Sequence, residues 1–208
     1  GDITLGTNIA GSGDLTKTGT GALNITAASG GFTGAIVVQG GVLNLLADRA
    51  LPNSVMTTIE SGATVAVGID NATRNASQNT LVKSGGTLTV TDGFTTNFGT
   101  DQGSSYLTLE GGATLGGSTP EPYWGSWTIN TVDRKITVEG GAAQAAVISA
   151  VGVSPNGDNP VRLAVSDVTG SAATDLLVSG SFGAESDVAS GVEIDGGGTV
   201  EFTGTNIH

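Results

Sequence analysis

The chain has 208 residues, 7 of them basic and 19 acidic, for a formal net charge of −12; so large an acidic surplus, spread along the whole length, repels nucleic-acid backbones and anionic lipid surfaces. It contains no cysteine, which excludes a disulfide framework and thiolate metal sites, and no run of eighteen apolar residues, the nearest being Ala142 to Val153, interrupted by Gln144, Ser149 and Gly152. Hydrophobic residues make up 38% but aromatic residues only 4%, so the core is expected to consist of small aliphatics; 35 glycines, without the strict period and proline of collagen, call for a repeated structural reason.

In chain order, one small unit recurs with variations: one or two glycines, one or two small or β-branched residues and an aliphatic, in most copies followed by a small or polar residue and a second apolar residue. It reads "GALNI" at 21–25, "GVLNL" at 41–45, "GATVAV" at 62–67, "GGTLTV" at 85–90, "GGATL" at 111–115 and "GGTVEF" at 197–202. The first aliphatics, Leu23, Leu43, Val65, Leu88 and Leu115, follow one another at steps of 20, 22, 23 and 27 residues, a spacing characteristic of repeat architectures. Residues i and i+2 of a strand share a face, so these five are predicted to point inward and to lie in columns. Between the units come further aliphatic pairs, Ile36/Val38, Leu107/Leu109, Ile136/Val138, Leu163/Val165, Leu176/Val178 and Val192/Ile194. Two or three short strands per repeat follow.

Gly-Gly pairs at 30–31, 40–41, 85–86, 111–112, 116–117, 140–141 and 196–197 punctuate the strands. A chain that makes a short strand and turns sharply into the next wall of a coil needs positive φ or close backbone approach at its corners, and glycine supplies both. Gly, Thr, Val and Ser disfavour helix throughout. The hairpin dipeptide Asn-Gly occurs only at Asn156-Gly157, which sets a sandwich or barrel behind a parallel β-helix. The predicted fold is all-β, a single β-solenoid segment over 1–208 with short strands and Gly-rich corners. About nine rungs would make a body on the order of 45 Å long.

The stretch "GSGDLTKTGTGALNITAASGGFTGAIVVQGGVLNL" at 11–45 resembles the passenger-associated repeat of bacterial autotransporters. Leu15, Lys17, Gly19, Gly21, Leu23, Ile25, Phe32, Thr33, Gly34, Val38, Gly41, Leu43 and Leu45 fill the places of that motif. A degraded copy at 191–208 aligns "VEIDGGGTVEFTGTN" on "LTKTGTGALNITAAS" without a gap, with Ile194 where Lys17 stands. Residues 50–180 share only the Gly-Gly-x-Leu-x-Val cadence. The resemblance implies a right-handed β-helix exported to the surface of a Gram-negative-type bacterium. It implies no particular activity, because such passengers range from adhesins to inert stalks.

Candidate sites are few. Carbohydrate-active β-helices cluster acidic residues on one wall, but Asp14, Asp70, Asp92 and Glu110 read as isolated, solvent-facing carboxylates. The oxygen-rich loops 68–79 and 154–160 suit Ca²⁺ in composition yet lack the EF-hand and β-roll spacings, and Asx-rich turns account for them more simply. Asn24, Asn71 and Asn75 head glycosylation sequons that carry no weight in a bacterial chain. His208 stands alone, with no Ser/His/Asp arrangement around it. The concentrated oddity is "STPEPYWGSW" at 118–127, which reads as a loop insertion holding both tryptophans. Tyr123, Trp124 and Trp127 would stack on sugar rings or a protein partner if exposed, or complete a core short of large side chains if buried.

These readings converge on a non-enzymatic extracellular structural or adhesive solenoid segment that uses no cofactor, binds no nucleic acid and does not insert into a membrane. Its expected partners are a host-surface or polysaccharide ligand, or other copies stacked end to end as a filament; a carbohydrate-active β-helix is the enzymatic alternative. The motif breaks off just before the place of Phe32-Thr33-Gly34, and "GDITL" opens without a capping segment. Both features predict either a longer parent protein or end-to-end association.

Overall fold

A strand that alternates aliphatic and polar residues buries one face only when a second wall covers it. This chain meets that need by coiling. The computed structural model describes residues 1–50, 56–68, 79–90, 96–98, 107–117, 127–129, 135–155, 161–182 and 192–204, and among them every element is a β-strand. Each strand pairs in parallel with its counterpart one coil away. The first wall stacks nine strands: Ile3–Leu5, Ala22–Ile25, Gly41–Leu45, Ala63–Val67, Thr87–Val90, Thr114–Gly117, Ala146–Ile148, Leu176–Val178 and Val200–Phe202. The second stacks eight: Leu15–Lys17, Ile36–Val38, Met56–Ile59, Asn79–Val82, Leu107–Gly111, Lys135–Gly141, Val161–Val165 and Val192–Asp195. The third side carries Ala10–Gly11 with Gly31–Phe32, then Thr96–Phe98, Trp127–Ile129, Val151–Pro155 and Ser181–Phe182. The protein is a parallel β-helix whose chain visits the first, third and second walls in turn. Strand–crossover–strand connections of this kind run right-handed almost without exception.

Register makes the core continuous. Leu23, Leu43, Val65, Leu88 and Leu115 form one unbroken column on the first wall, none more than 8% exposed. Ile3 precedes the column, and Ile148, Val178 and Phe202 extend it. On the second wall, Val38, Ile59, Val82, Leu109, Val138 and Val165 make a buried column. Beside it run Leu15, Ile36, Thr57, Thr80, Leu107, Ile136, Leu163 and Ile194. The structure departs here from the sequence alignment by two residues: Ile194 shares the column of Leu15, not of Lys17, and Phe202 rather than Val200 shares that of Leu23. A shift of two keeps the same face inward, so hydrophobic alternation cannot detect it.

The turns between second and first walls explain much of the glycine. In three successive coils, Glu60–Ala63, Lys83–Gly86 and Glu110–Ala113, the fourth residue's N–H donates to the first residue's carbonyl at 3.0, 2.7 and 2.9 Å. The third residue is Gly62, Gly85 or Gly112, with φ of 74°, 77° and 85°. That is the type II turn, whose third position demands positive φ.

Candidate functional site

The five column residues described above are core, and their place is structural. Of the aromatic loop, Tyr123 and Trp124 lie outside the described residues. Trp127 opens the strand Trp127–Ile129, whose backbone is in register with Thr96 on one side and with Val153, a fully buried position, on the other. Of the two oxygen-rich loops, Gly68, Asn79, Ser154 and Pro155 are described. The rest of them, and with it Asp70, Asn71 and Asn75, lies outside, as do Asp92 and His208. Among the described residues, no three His, Asp or Glu side chains gather as metal ligands would.

Several of the described charged groups engage the fold itself. Lys17 is 7% exposed, and its ammonium donates to the carbonyls of Thr18, Gly19 and Gly40 at 2.9, 3.0 and 2.9 Å. It stands in register with Val38, so its methylene stem continues an aliphatic column while its three donors are met at the corner. Lys83 pairs with Glu60 at 2.8 Å. Its pKa is held above the ordinary lysine value by that hydrogen bond, against a smaller desolvation effect, with the charges of Glu60 and Glu110 adding to the rise. Arg162 pairs with Glu193, its register partner, at 2.7 Å. Asn44 donates to Asn24 at 2.8 Å and Asn24 to Thr4 at 3.3 Å, a ladder of side chains climbing the outside of the first wall.

Asp14 is exposed and Glu110 half-buried, and both carboxylates are held by backbone of a neighbouring coil. Asp14 accepts the Ala35 N–H at 3.0 Å, and Glu110 accepts the Ser84 N–H at 3.0 Å. Asp175, which sequence reasoning passed over, is fully buried. It accepts the N–H groups of Thr169 at 2.8 Å and Thr199 at 2.7 Å. Burial by itself would raise its pKa; the backbone hydrogen bonds of Thr199 and Thr169, with the Thr169 hydroxyl and the Val168 backbone, outweigh burial and hold it below the usual carboxylate range. A general acid needs the opposite direction. Asp175 closes the loop 166–175, which is tied further by Ser171 N–H to Asp167 at 3.2 Å and by Thr174 to Glu201 at 2.8 Å. The signal for it was an acidic residue directly before an alternating aliphatic strand.

No family model matches the chain, and neither a curated protein nor a solved structure matches it.

Proposed function

We propose that this chain is a non-enzymatic structural or adhesive solenoid segment of a bacterial surface or secreted protein, of the autotransporter-passenger type. The observation that supports it most is the unbroken register of the nine-strand wall: each coil lays the same positions over the last, so the product of folding is length and repeated surface. Among the described residues, the two buried charged side chains, Lys17 and Asp175, are spent on corner carbonyls and corner N–H groups. Attachment then comes from avidity along the rod, to a polysaccharide or another cell-surface ligand, with the aromatic stretch around Tyr123 and Trp124 as one contact. A second reading is a filament of copies stacked end to end, which the parallel stacking of coil on coil would extend by the same kind of pairing.

The test is to produce the full-length parent protein in a Gram-negative host and probe intact cells with an external protease and an antibody against this chain. Surface exposure and retention of cells on a polysaccharide-coated support are expected. Confinement to the cytoplasm, or release of sugar from a polysaccharide by the purified chain, would overturn the reading. Rods that lengthen with concentration in electron micrographs would move the assignment to the filament.

A further inference from the structure

Three aspartates, in different parts of the molecule, do the same thing. Asp2, Asp14 and Asp175 each stand one residue before a strand, at Ile3, Leu15 and Leu176. Each accepts the backbone N–H of the residue directly above it on the following coil: Ala22 at 2.8 Å, Ala35 at 3.0 Å and Thr199 at 2.7 Å. The register Ile3 to Leu23, Leu15 to Ile36 and Leu176 to Val200 makes these residues the partners of the three aspartates. In a parallel ladder, the partner of residue i donates its N–H to the carbonyl of residue i−1 and accepts the N–H of residue i+1. The second half of that pattern is intact: Leu15 N–H reaches the Ala35 carbonyl at 2.8 Å, and Leu176 N–H reaches that of Thr199 at 3.1 Å. In the first half, the carboxylate has replaced the carbonyl.

The displaced carbonyls can be located. Those of Gly1 and Gly13 lie where a Cβ on Gly21 and on Gly34 would sit, so each swings under the glycine that precedes the partner residue. At Asp175 the crowding carbonyl is a different one: Gly198, before Thr199, meets that of Ser166, at the start of the loop Asp175 closes, 2.5 Å from where its Cβ would be. All three pairings therefore read as Asp-aliphatic on one coil and Gly-x-aliphatic on the next: "DI" with "GAL", "DL" with "GAI", and "DL" with "GTV".

We infer that Asp2, Asp14 and Asp175 are register clips: each carboxylate accepts the N–H that the carbonyl of the preceding residue would take in a regular ladder, extends the parallel pairing by one step, and fixes which residue of the next coil sits above it. A two-residue slip, which the aliphatic pattern tolerates, moves the required N–H and the required glycine out of reach. The clip supplies the register that hydrophobic alternation lacks.

Amide-resolved hydrogen exchange on the full chain tests this at Asp14, which lies on the surface. In Asp14→Ala the Ala35 amide is expected to exchange about tenfold faster or more, with Ala22 and Thr199 unchanged; Asp14→Asn, whose amide oxygen accepts the same bond, is expected to retain protection. The exchange of neighbours Gly13→Asp with Asp14→Gly, which keeps the charge and moves it by one residue, is expected to behave like Asp14→Ala. The inference fails if Ala35 stays protected in Asp14→Ala, if Asp14→Asn behaves like Asp14→Ala, or if the shifted aspartate restores protection. Asp175→Ala and Asp175→Asn, read at Thr199, repeat the comparison at the other end of the molecule.

Discussion

Lys17 and Asp175 are charges placed where an aliphatic coil would ordinarily admit none, and each is tolerated because its hydrogen-bonding capacity is filled. For Lys17, replacement by Met keeps the stem in the column and removes three donors from the Thr18, Gly19 and Gly40 carbonyls. The expected cost is about 1–3 kcal/mol, read as a lower denaturation midpoint at unchanged slope; removing the exposed Lys83 ammonium should cost less, since a solvated ion pair contributes little. An unchanged midpoint in Lys17→Met would show that water replaces the amine at that corner. Asp175 carries a pH dependence of definite sign. Its pKa is lower folded than unfolded, so its contribution is complete above the ordinary carboxylate pKa, near 4, and is lost as pH falls through the lowered value. The advantage of the wild type over Asp175→Asn in thermal melts should be constant at neutral pH and should shrink as the pH drops below about 4. An advantage that grows on acidification would contradict the hydrogen-bond account.

At the scale of the strand and its corner, two glycines with similar backbone angles make different demands. Gly62 has φ 74° and open space where a Cβ would go, whereas Gly41, at φ 65°, has the Gly21 carbonyl against that position and the Gly19 carbonyl 2.7 Å from it. Gly62→Ala is expected to cost only the conformational penalty, roughly 1–2 kcal/mol. Gly41→Ala adds a clash with backbone that is itself held by the neighbouring coil, and should lower the melting temperature distinctly further; equal melting temperatures would mean the coils part at that corner without penalty. This close approach of coil on coil is what the Gly-x-aliphatic cadence encodes, and it is why the first wall was legible in the sequence from Leu23 to Leu115. The second wall was less so. Met56–Ile59 and Asn79–Val82 escaped notice because Thr57 and Thr80, each 6% exposed, occupy core positions between Ile36 and Leu107: threonine has the branched shape of valine but reads as polar. The long-range partners of Asp14 and Asp175 were invisible for a different reason, since a hydrogen bond between coils depends on a register that period-two alternation leaves open by two residues.

Over the whole molecule, nine strands at about 4.8 Å spacing span eight intervals, or roughly 38 Å, shorter than the sequence estimate because intervals rather than strands set the length. Among the described residues, each strand of a wall pairs only with the strands before and after it in that wall, so stability is expected to be a sum of coil and interface contributions. Position along the stack should then decide what a core lesion destroys. Leu23 lies in the second strand of the first wall and Leu88 in the fifth, both buried and in the same column. An aspartate at either place buries an unpaired charge. Leu23→Asp separates one strand of that wall from the seven beyond it, and limited proteolysis should leave a resistant fragment comprising the later coils, with most of the β-sheet circular dichroism intact. Leu88→Asp divides the wall into two groups of four strands, each with a new unpaired edge, and should leave no resistant fragment and little ordered signal. If Leu23→Asp instead abolishes all structure, the coils fold as one cooperative unit and the nearest-neighbour picture of this solenoid is wrong; if Leu88→Asp remains protease-resistant along its full length, the column does not carry the load between coils.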